Sequence, residues 1–177
     1  LSENPDFVAS TSPNGYEGKE LSKQNLVDFK LDGDLFGRFT TFFEYCWVSH
    51  GIFYSLVRTN ALRNCEVLDH SRPILAVDWA INLYLASKGK LNRTPSGYMI
   101  FGGGGVSRGP DAYKRFAYEF IEIFIPFYRL SKYVIQLTSG LTIRQKLRIA
   151  LILTKLNIGA DYSRVRAQLC SIYRKYV

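Results

Sequence analysis

The sequence predicts an α/β fold, in which an incomplete domain with a mixed sheet is followed by a helical C-terminal extension. Strand-like and helix-like segments alternate over residues 1–109, and the pattern becomes helical after Gly109-Pro110. The composition suits a packed core, with 47% hydrophobic, 15% aromatic and 21% charged residues. We therefore divide the chain into a sheet-bearing part, 1–109, and an extension, 110–177.

The first elements follow from short-range patterns. Residues 6–11 are rich in apolar and β-branched side chains and predict a strand, which Ser12-Pro13-Asn14-Gly15 should close as a turn. Residues 50–57 predict a second strand and residues 59–64 a short helix. Between the two predicted strands, residues 35–48 predict a helix whose aromatic face belongs to the core. That face consists of Phe36, Phe39, Phe43 and Trp47.

A longer helix and two strands complete the sheet-bearing part. Residues 75–88 have helical periodicity, and Gly89 should end the helix in the left-handed conformation. Residues 90–93 and 97–101 predict two short strands. The second strand leads into a run of four glycines, so the sheet-bearing part ends in a glycine-rich loop.

The extension begins with a helical pattern over residues 111–137. Pro110 suits the first turn of this helix, and Pro126 should kink it because proline has no backbone N–H. One long kinked helix is therefore expected here.

A second helical pattern begins at a capping box, Thr142 followed three residues later by Gln145. It predicts a helix over residues 143–157. Gly159 should separate this helix from a last one over residues 161–176, so the extension should end as a helical hairpin or bundle.

Positive charge is concentrated in the tail. Residues 1–110 carry eleven acidic and eleven basic side chains, whereas residues 138–177 carry eight basic side chains and one acidic. Such a block indicates an anionic surface, lipid headgroups or nucleic acid, as partner. The apolar stripe of helix 143–157 is flanked by cations and can lie on an anionic membrane or pack on its own domain. Nucleic acid is not expected, because no base-stacking sheet or zinc finger accompanies the charge.

The three cysteines, Cys46, Cys65 and Cys170, lie far apart and form no CxxC pattern. They fit neither a disulfide framework nor a zinc site. We interpret them as buried or idle thiols of a reducing compartment, which predicts a cytoplasmic protein.

Asp78 stands where the helix 75–88 opens, and this position has two interpretations. A carboxylate at a helix start can cap the N-terminal amides and stabilise the helix by about 1 kcal/mol. It can also act as a general base if it is ionised and faces an open cleft, and helix-end amides favour the ionised form. Local pattern alone leaves both open.

Three segments around Asp78 resemble a known family. Residues 4–9 read NPDFVA, residues 50–62 read HGIFYSLVRTNAL, and residues 75–90 read LAVDW through ASKGK. In this order and spacing, over about residues 1–108, they look like the second half of the large inverting family of GT-A-fold glycosyltransferases. The resemblance implies an incomplete GT-A-like, Rossmann-like half-domain that binds the acceptor.

The resemblance also implies a reaction. Asp78 would remove the proton of an acceptor hydroxyl as that oxygen attacks the anomeric carbon of a nucleotide-sugar, with inversion. Family members more often have Glu-Asp at this point, whereas Val77 precedes Asp78 here. Asp78 should then face an open, sugar-sized hollow in the sheet-bearing part.

Further site residues are carried over by position. The acceptor side would use His50, Tyr54, Arg58 and Trp79, the first three of which could equally be polar groups at a strand end. The glycine-rich loop at 102–105 would close over the donor diphosphate through Gly104, Gly105, Ser107 and Arg108, although a plain flexible turn has the same pattern. The loop lacks both the P-loop and the dinucleotide-binding spacing.

The expected ligands follow from the same resemblance. They are a nucleotide-sugar donor, a glycan or lipid-linked acceptor, and Mg²⁺ or Mn²⁺. Asp32-Gly33-Asp34 resembles a metal motif, but the family places that motif upstream of the segment like residues 4–9. We therefore expect the metal ligands and the donor-binding half before Leu1, and we expect this chain alone to be inactive.

A different class of function remains open. The chain can be a non-catalytic basic helical module that binds an anionic membrane or nucleic acid, with the sheet-bearing part as scaffold. Peripheral contact at the inner face of a membrane is compatible with either function.

Overall fold

The computed structural model describes residues 1–18, 29–47, 51–68, 74–95, 97–102, 116–117 and 119–176, without the side chains of residues 68, 164 and 166–176. The described part is mixed α/β, as predicted, with two small sheets and five α-helices. No helix in these residues combines the length and the apolar character needed to cross a bilayer.

The larger sheet has three strands: β1 (Phe7–Thr11), β3 (Leu56–Val57) and β4 (Lys90–Arg93), in the order β3-β1-β4. The central strand β1 pairs with β3 in antiparallel orientation and with β4 in parallel orientation, so the sheet is mixed.

A second, two-stranded sheet pairs β2 (Asn14–Tyr16) in parallel with β5 (Met99–Phe101). The predicted turn at 12–15 is therefore wrong in its second half. The buried side chain of Asn14 accepts a hydrogen bond of 2.8 Å from Nη2 of Arg93, and pairing with β5 overrides the turn preference of Asn-Gly.

The helices lie in chain order α1 to α5, with three single turns of 3₁₀ helix between them. The α-helices are α1 (Leu35–Tyr45), α2 (Thr59–Leu62), α3 (Val77–Lys88), α4 (Tyr128–Leu137) and α5 (Ile143–Tyr176). The 3₁₀ turns are Gly51–Tyr54, Glu66–Leu68 and Phe120–Ile123.

One hydrophobic core serves both parts of the chain. It contains side chains from β1, α1, α3, α4 and α5, and α3 packs against helices of both parts. Phe39 and Phe43 of the aromatic face are buried, as predicted. Trp47 is 52% exposed, contrary to prediction, because α1 ends at Tyr45 and the stripe does not continue past the helix.

The predicted strand 50–57 is mostly a 3₁₀ turn, and only Leu56 and Val57 pair with β1. The reason is local. Both the hydroxyl and the backbone N–H of Ser55 donate to the carbonyl of Ile52, at 2.5 and 3.2 Å, and such bonds compete with a strand.

Gly89 ends α3 as predicted, but its backbone is extended (φ 175°, ψ −167°) and not left-handed. A Cβ there would lie 2.6 Å from Cγ1 of Val8 and 3.0 Å from the carbonyl oxygen of Asp6. Glycine is therefore needed because α3 passes into β4 directly against β1.

The extension differs from prediction in two places. Glu119 and Glu122 form a reciprocal capping box that opens a new 3₁₀ turn, and α4 begins only after Pro126, so 111–137 is not one helix. The expected break at Gly159 is absent, because Leu156 and Ala160 are buried on either side of it. A glycine inside a helix costs only about 1 kcal/mol, which this packing offsets.

The capping box at the start of α5 is confirmed. The backbone N–H of Gln145 donates to the hydroxyl of Thr142 at 3.4 Å, and the side-chain oxygen of Gln145 accepts from the N–H of Thr142 at 3.0 Å. This fixes the first turn of a helix of 34 residues.

Candidate functional site

Asp78 is the second residue of α3 and is half-buried. It is not the N-cap residue, a position that Ala76 occupies without a side-chain cap bond. After Asp78 the helix enters the core, because Trp79, Ala80 and the residues from 82 to 86 are buried. Asp78 is therefore a partly accessible carboxylate at the N-terminus of a helix whose later residues are buried.

Ala76 has a left-handed backbone (φ 59°, ψ 49°), the one residue other than glycine with positive φ in the described part of the chain. For a residue with a Cβ this conformation costs about 1–2 kcal/mol. The strained residue lies two positions before Asp78. It turns the chain into α3 so that Asp78 falls in the first helical turn.

Asn82 lies one turn after Asp78, and residues four apart share one side of a helix. Its side chain is 3% exposed, and its Oδ1 has no hydrogen-bond donor among the described residues. A buried amide oxygen without a donor usually marks a site for water or a ligand. This helix side therefore carries a second polar side chain besides that of Asp78.

Cys46 lies at the C-terminal end of α1, and the charge of Asp78 acts on its thiol. Burial raises the pKa of the Cys46 thiol to about 12, and the negative charge of Asp78 adds a smaller effect in the same direction. The thiol thus stays protonated near neutral pH, as expected for an idle buried cysteine.

Trp79 lies in an aromatic cluster and is only 7% exposed. Its ring stacks on Phe127 at 5.4 Å between centroids, and Trp47 meets it edge-on at 4.8 Å. The cluster anchors the first turn of α3 to the extension. The indole face against Phe127 is thereby covered.

Tyr54 is 53% exposed and lies against Phe101, with ring centroids 4.7 Å apart. Phe53 and Tyr16 extend these two rings into a row, at 5.1 Å from Tyr54 and 5.8 Å from Phe101. Because Phe101 is the last residue of β5, the structure brings Tyr54 to the start of the glycine-rich loop.

Arg58 ties the start of the chain to β3. Its Nε donates to the carbonyl of Phe7 at 2.8 Å, and its Nη2 donates to the carbonyls of Asn4, at 3.2 Å, and Leu1. It also lines a hollow of about 310 Å³ together with Tyr84 and Lys88 of α3. The guanidinium therefore has a structural role, and Asp78 does not line this hollow.

The remaining predicted residues, His50, Gly104, Gly105, Ser107 and Arg108, lie outside the described residues. Two further hollows, one of about 260 Å³ beside Phe7 and one of about 380 Å³ beside Phe124, do not include Asp78 either. The open hollow expected in front of Asp78 thus stays a prediction.

The described residues do not fit a divalent metal. They contain no group of three or more His, Cys, Asp or Glu side chains that could hold one. Asp34 of the Asp32-Gly33-Asp34 sequence accepts a 2.6 Å bond from the N–H of Gly37 and is the N-cap of α1. This agrees with its interpretation as a turn ahead of the aromatic helix.

Sequence reasoning missed Ala76 and Asn82. Asn82 is visible in the sequence as a polar residue four positions after Asp78, but its burial depends on distant helices. The sequence gives no local signal that an alanine has a left-handed backbone, so Ala76 could not be identified in advance.

Comparison with protein-family models, curated proteins and solved structures finds no match for this chain.

Proposed function

We propose that this chain is the acceptor-side part of an inverting glycosyltransferase with a GT-A fold, and that Asp78 is its catalytic base. The observation that carries the proposal is topological. The three segments that resemble this family, residues 4–9, 50–62 and 75–90, contain or lead into β1, β3 and β4, which form one sheet.

Asp78 is proposed to lie at the ligand-binding edge of that sheet. One glycine connects α3 to β4, and α3 packs against both β1 and β4. In the proposal, α3 runs back along β4, so that its first turn, with Asp78, faces the carboxyl ends of the parallel strands β1 and β4. Open α/β sheets bind their ligands at this edge.

In the proposed step, the Asp78 carboxylate accepts the proton of an acceptor hydroxyl. The hydroxyl oxygen forms a bond to the anomeric carbon while the bond from that carbon to the diphosphate oxygen breaks. The electron pair leaves with the nucleoside diphosphate, and the configuration inverts. Asn82, on the same side of α3, would hold a water beside Asp78 through its Oδ1, which has no donor among the described residues.

The test is turnover by the protein as its gene encodes it. Release of nucleoside diphosphate would be measured with a panel of nucleotide-sugars, with and without glycan acceptors. Asp78→Asn keeps the shape of the side chain and removes the base, so kcat should fall about 10²–10⁴-fold while the circular dichroism spectrum stays unchanged.

Asp32→Asn is the matched control, since it makes the same chemical change at an exposed turn. It should keep full activity. Two results would contradict the proposal: wild-type activity in Asp78→Asn, or no binding and turnover of any nucleotide-sugar.

A further inference from the structure

Helix α5 has two apolar sides. One is buried in the core and the other is exposed. The buried side consists of Ile149, Leu153, Leu156 and Ala160, each at most 7% exposed. The exposed side, here called the outer face, consists of Ile143, Leu147, Leu151, Ile158, Tyr162 and Val165, each at least 48% exposed.

The two sides are nearly opposite. At about 100° per residue, the outer face spans about 100° of the helix surface and its centre lies about 160° from the centre of the buried side. Burial of one apolar stripe accounts for an ordinary surface helix. The packing of the described residues therefore does not account for the second stripe, which they leave uncovered.

The outer face continues into an apolar groove. The groove, of about 380 Å³, lies between α5, α4 and the residues Phe124 and Ile125 that follow the 3₁₀ turn Phe120–Ile123, and Ile158 belongs to both surfaces. Phe124 and Ile135 line the groove at 58% and 56% exposure, and the ring of Phe120 lies 5.4 Å from that of Phe124 at 78% exposure. The uncovered apolar surface thus spans three elements.

Charge distinguishes between the possible occupants. Arg144, Arg148 and Lys155 follow one edge of the outer face, and all three are exposed. A second copy of the chain would bring together two tails that each carry eight basic side chains and one acidic over residues 138–177. Like charges oppose that pairing, whereas anionic lipid headgroups attract the same cations.

We propose that the outer face of α5 docks on an anionic phospholipid bilayer. The helix, about 51 Å long from its 34 residues, lies parallel to the surface. Its apolar side chains enter the boundary between headgroups and acyl chains, and the flanking cations contact the headgroup phosphates. This inference is independent of sugar transfer, because it uses α5 and the groove only.

The test is co-sedimentation of the full chain with vesicles. One set contains phosphatidylcholine alone, and the other contains phosphatidylcholine with phosphatidylserine. Binding should require phosphatidylserine and should weaken with salt. Leu151→Glu should reduce binding at least about tenfold, since it puts a charge into the apolar stripe. Lys155→Gln should reduce it about fivefold, the value of one cation near the surface.

Ser163→Glu is the matched control, because it adds the same charge at an exposed position of α5 outside the outer face. Binding of this variant should fall no more than that of Lys155→Gln. Circular dichroism and sedimentation velocity accompany each variant. The proposal is overturned if phosphatidylserine has no effect, if Ser163→Glu and Leu151→Glu lose binding equally, or if the wild type is a dimer that Leu151→Glu dissociates.

Discussion

The first turn of α3 and the contact between α4 and α5 satisfy their buried polar groups in opposite ways. At the start of α3, a strained Ala76 precedes a half-buried Asp78, and Oδ1 of Asn82 has no donor among the described residues. At the α4–α5 contact, the buried Asn157 uses both ends of its side chain: Oδ1 accepts from the N–H of Phe127 at 2.8 Å, and Nδ2 donates to Leu153 and Ser131.

The ion pair between Arg129 of α4 and Glu122 is satisfied in the same way as the side chain of Asn157. Nε of Arg129 lies 2.5 Å from Oε1 of Glu122, and the other carboxylate oxygen accepts from the N–H of Glu119 at 2.9 Å. The difference teaches where the molecule is optimised for stability. A left-handed backbone at Ala76 and a buried amide oxygen of Asn82 that lacks a donor among the described residues occur together beside Asp78, and backbone strain of this kind is common at functional sites.

The largest expected effect is at the ion pair. Glu122→Gln removes the carboxylate charge that pairs with the guanidinium of Arg129, whose side chain is 12% exposed. The free energy of unfolding in urea should fall by about 3 kcal/mol. Asp6→Asn is the matched control, because its pair with Lys90 is exposed and should contribute less than about 1 kcal/mol. Equal losses in both variants would show that the Glu122 pair is not important for stability.

Asn157→Leu should destabilise the protein by about 2 kcal/mol. The substitution leaves the buried N–H of Phe127 without an acceptor and removes a link between α4 and α5. Urea unfolding measures the loss. A change below about 0.5 kcal/mol would mean that water replaces the side chain at little cost.

The same substitution at Asn82 should not lower the free energy of unfolding. Asn82→Leu removes an amide oxygen that has no donor among the described residues, so stability should stay unchanged or rise by about 1 kcal/mol. If Asn82 serves the proposed reaction, kcat should fall in the same variant. A destabilisation equal to that of Asn157→Leu would remove the contrast between the two regions.

Ala76→Gly should stabilise the protein by about 0.5–1 kcal/mol. Glycine relieves the left-handed strain at φ 59° but adds freedom to the unfolded chain, and these effects partly offset each other. Thermal unfolding measures the gain, and Gly89→Ala provides the reverse case. There the new Cβ would meet Val8 at 2.6 Å, and stability should fall.

The smallest effect at neutral pH belongs to Cys46. The ordinary pKa of a cysteine thiol is 9.0, and burial raises the pKa of Cys46 to about 12 in the folded protein. The unfolded chain therefore loses this proton first as the pH rises. Stability therefore falls between these two values. From about pH 8 to about pH 10, wild type should lose about 1 kcal/mol more than Cys46→Val. Parallel losses would show that the thiol titrates normally in the folded state.

The sequence predicted those features that neighbouring residues determine. The strand at Phe7–Thr11, the helix that begins near Asp78 and the capping box at Thr142 all follow from residues a few positions apart. The pairing of β2 with β5, the crowding at Gly89 and the continuity of α5 through Gly159 depend on segments far away in the chain. Pattern reasoning had no access to those contacts.

The same division applies to the site. Asp78 was identified from its place at a helix start, which is a local property. The environment of Asn82 and the covering of Trp79 by Phe127 arise only when α3 meets the extension. The outer face of α5 was foreseen in part as an apolar stripe among cations, but its separation from a buried stripe on the other side required the packed structure.

The single core has a consequence for how this protein can be cut. Trp79 is covered by Phe127, and the cluster that holds Ala9 and Leu83 also holds Leu130, Ile149 and Ala160. A truncated chain ending near residue 109 would expose these interior surfaces to water and should aggregate. The tail is thus an integral part of the molecule, because α4 packs on both α5 and α3, the helix that carries Asp78.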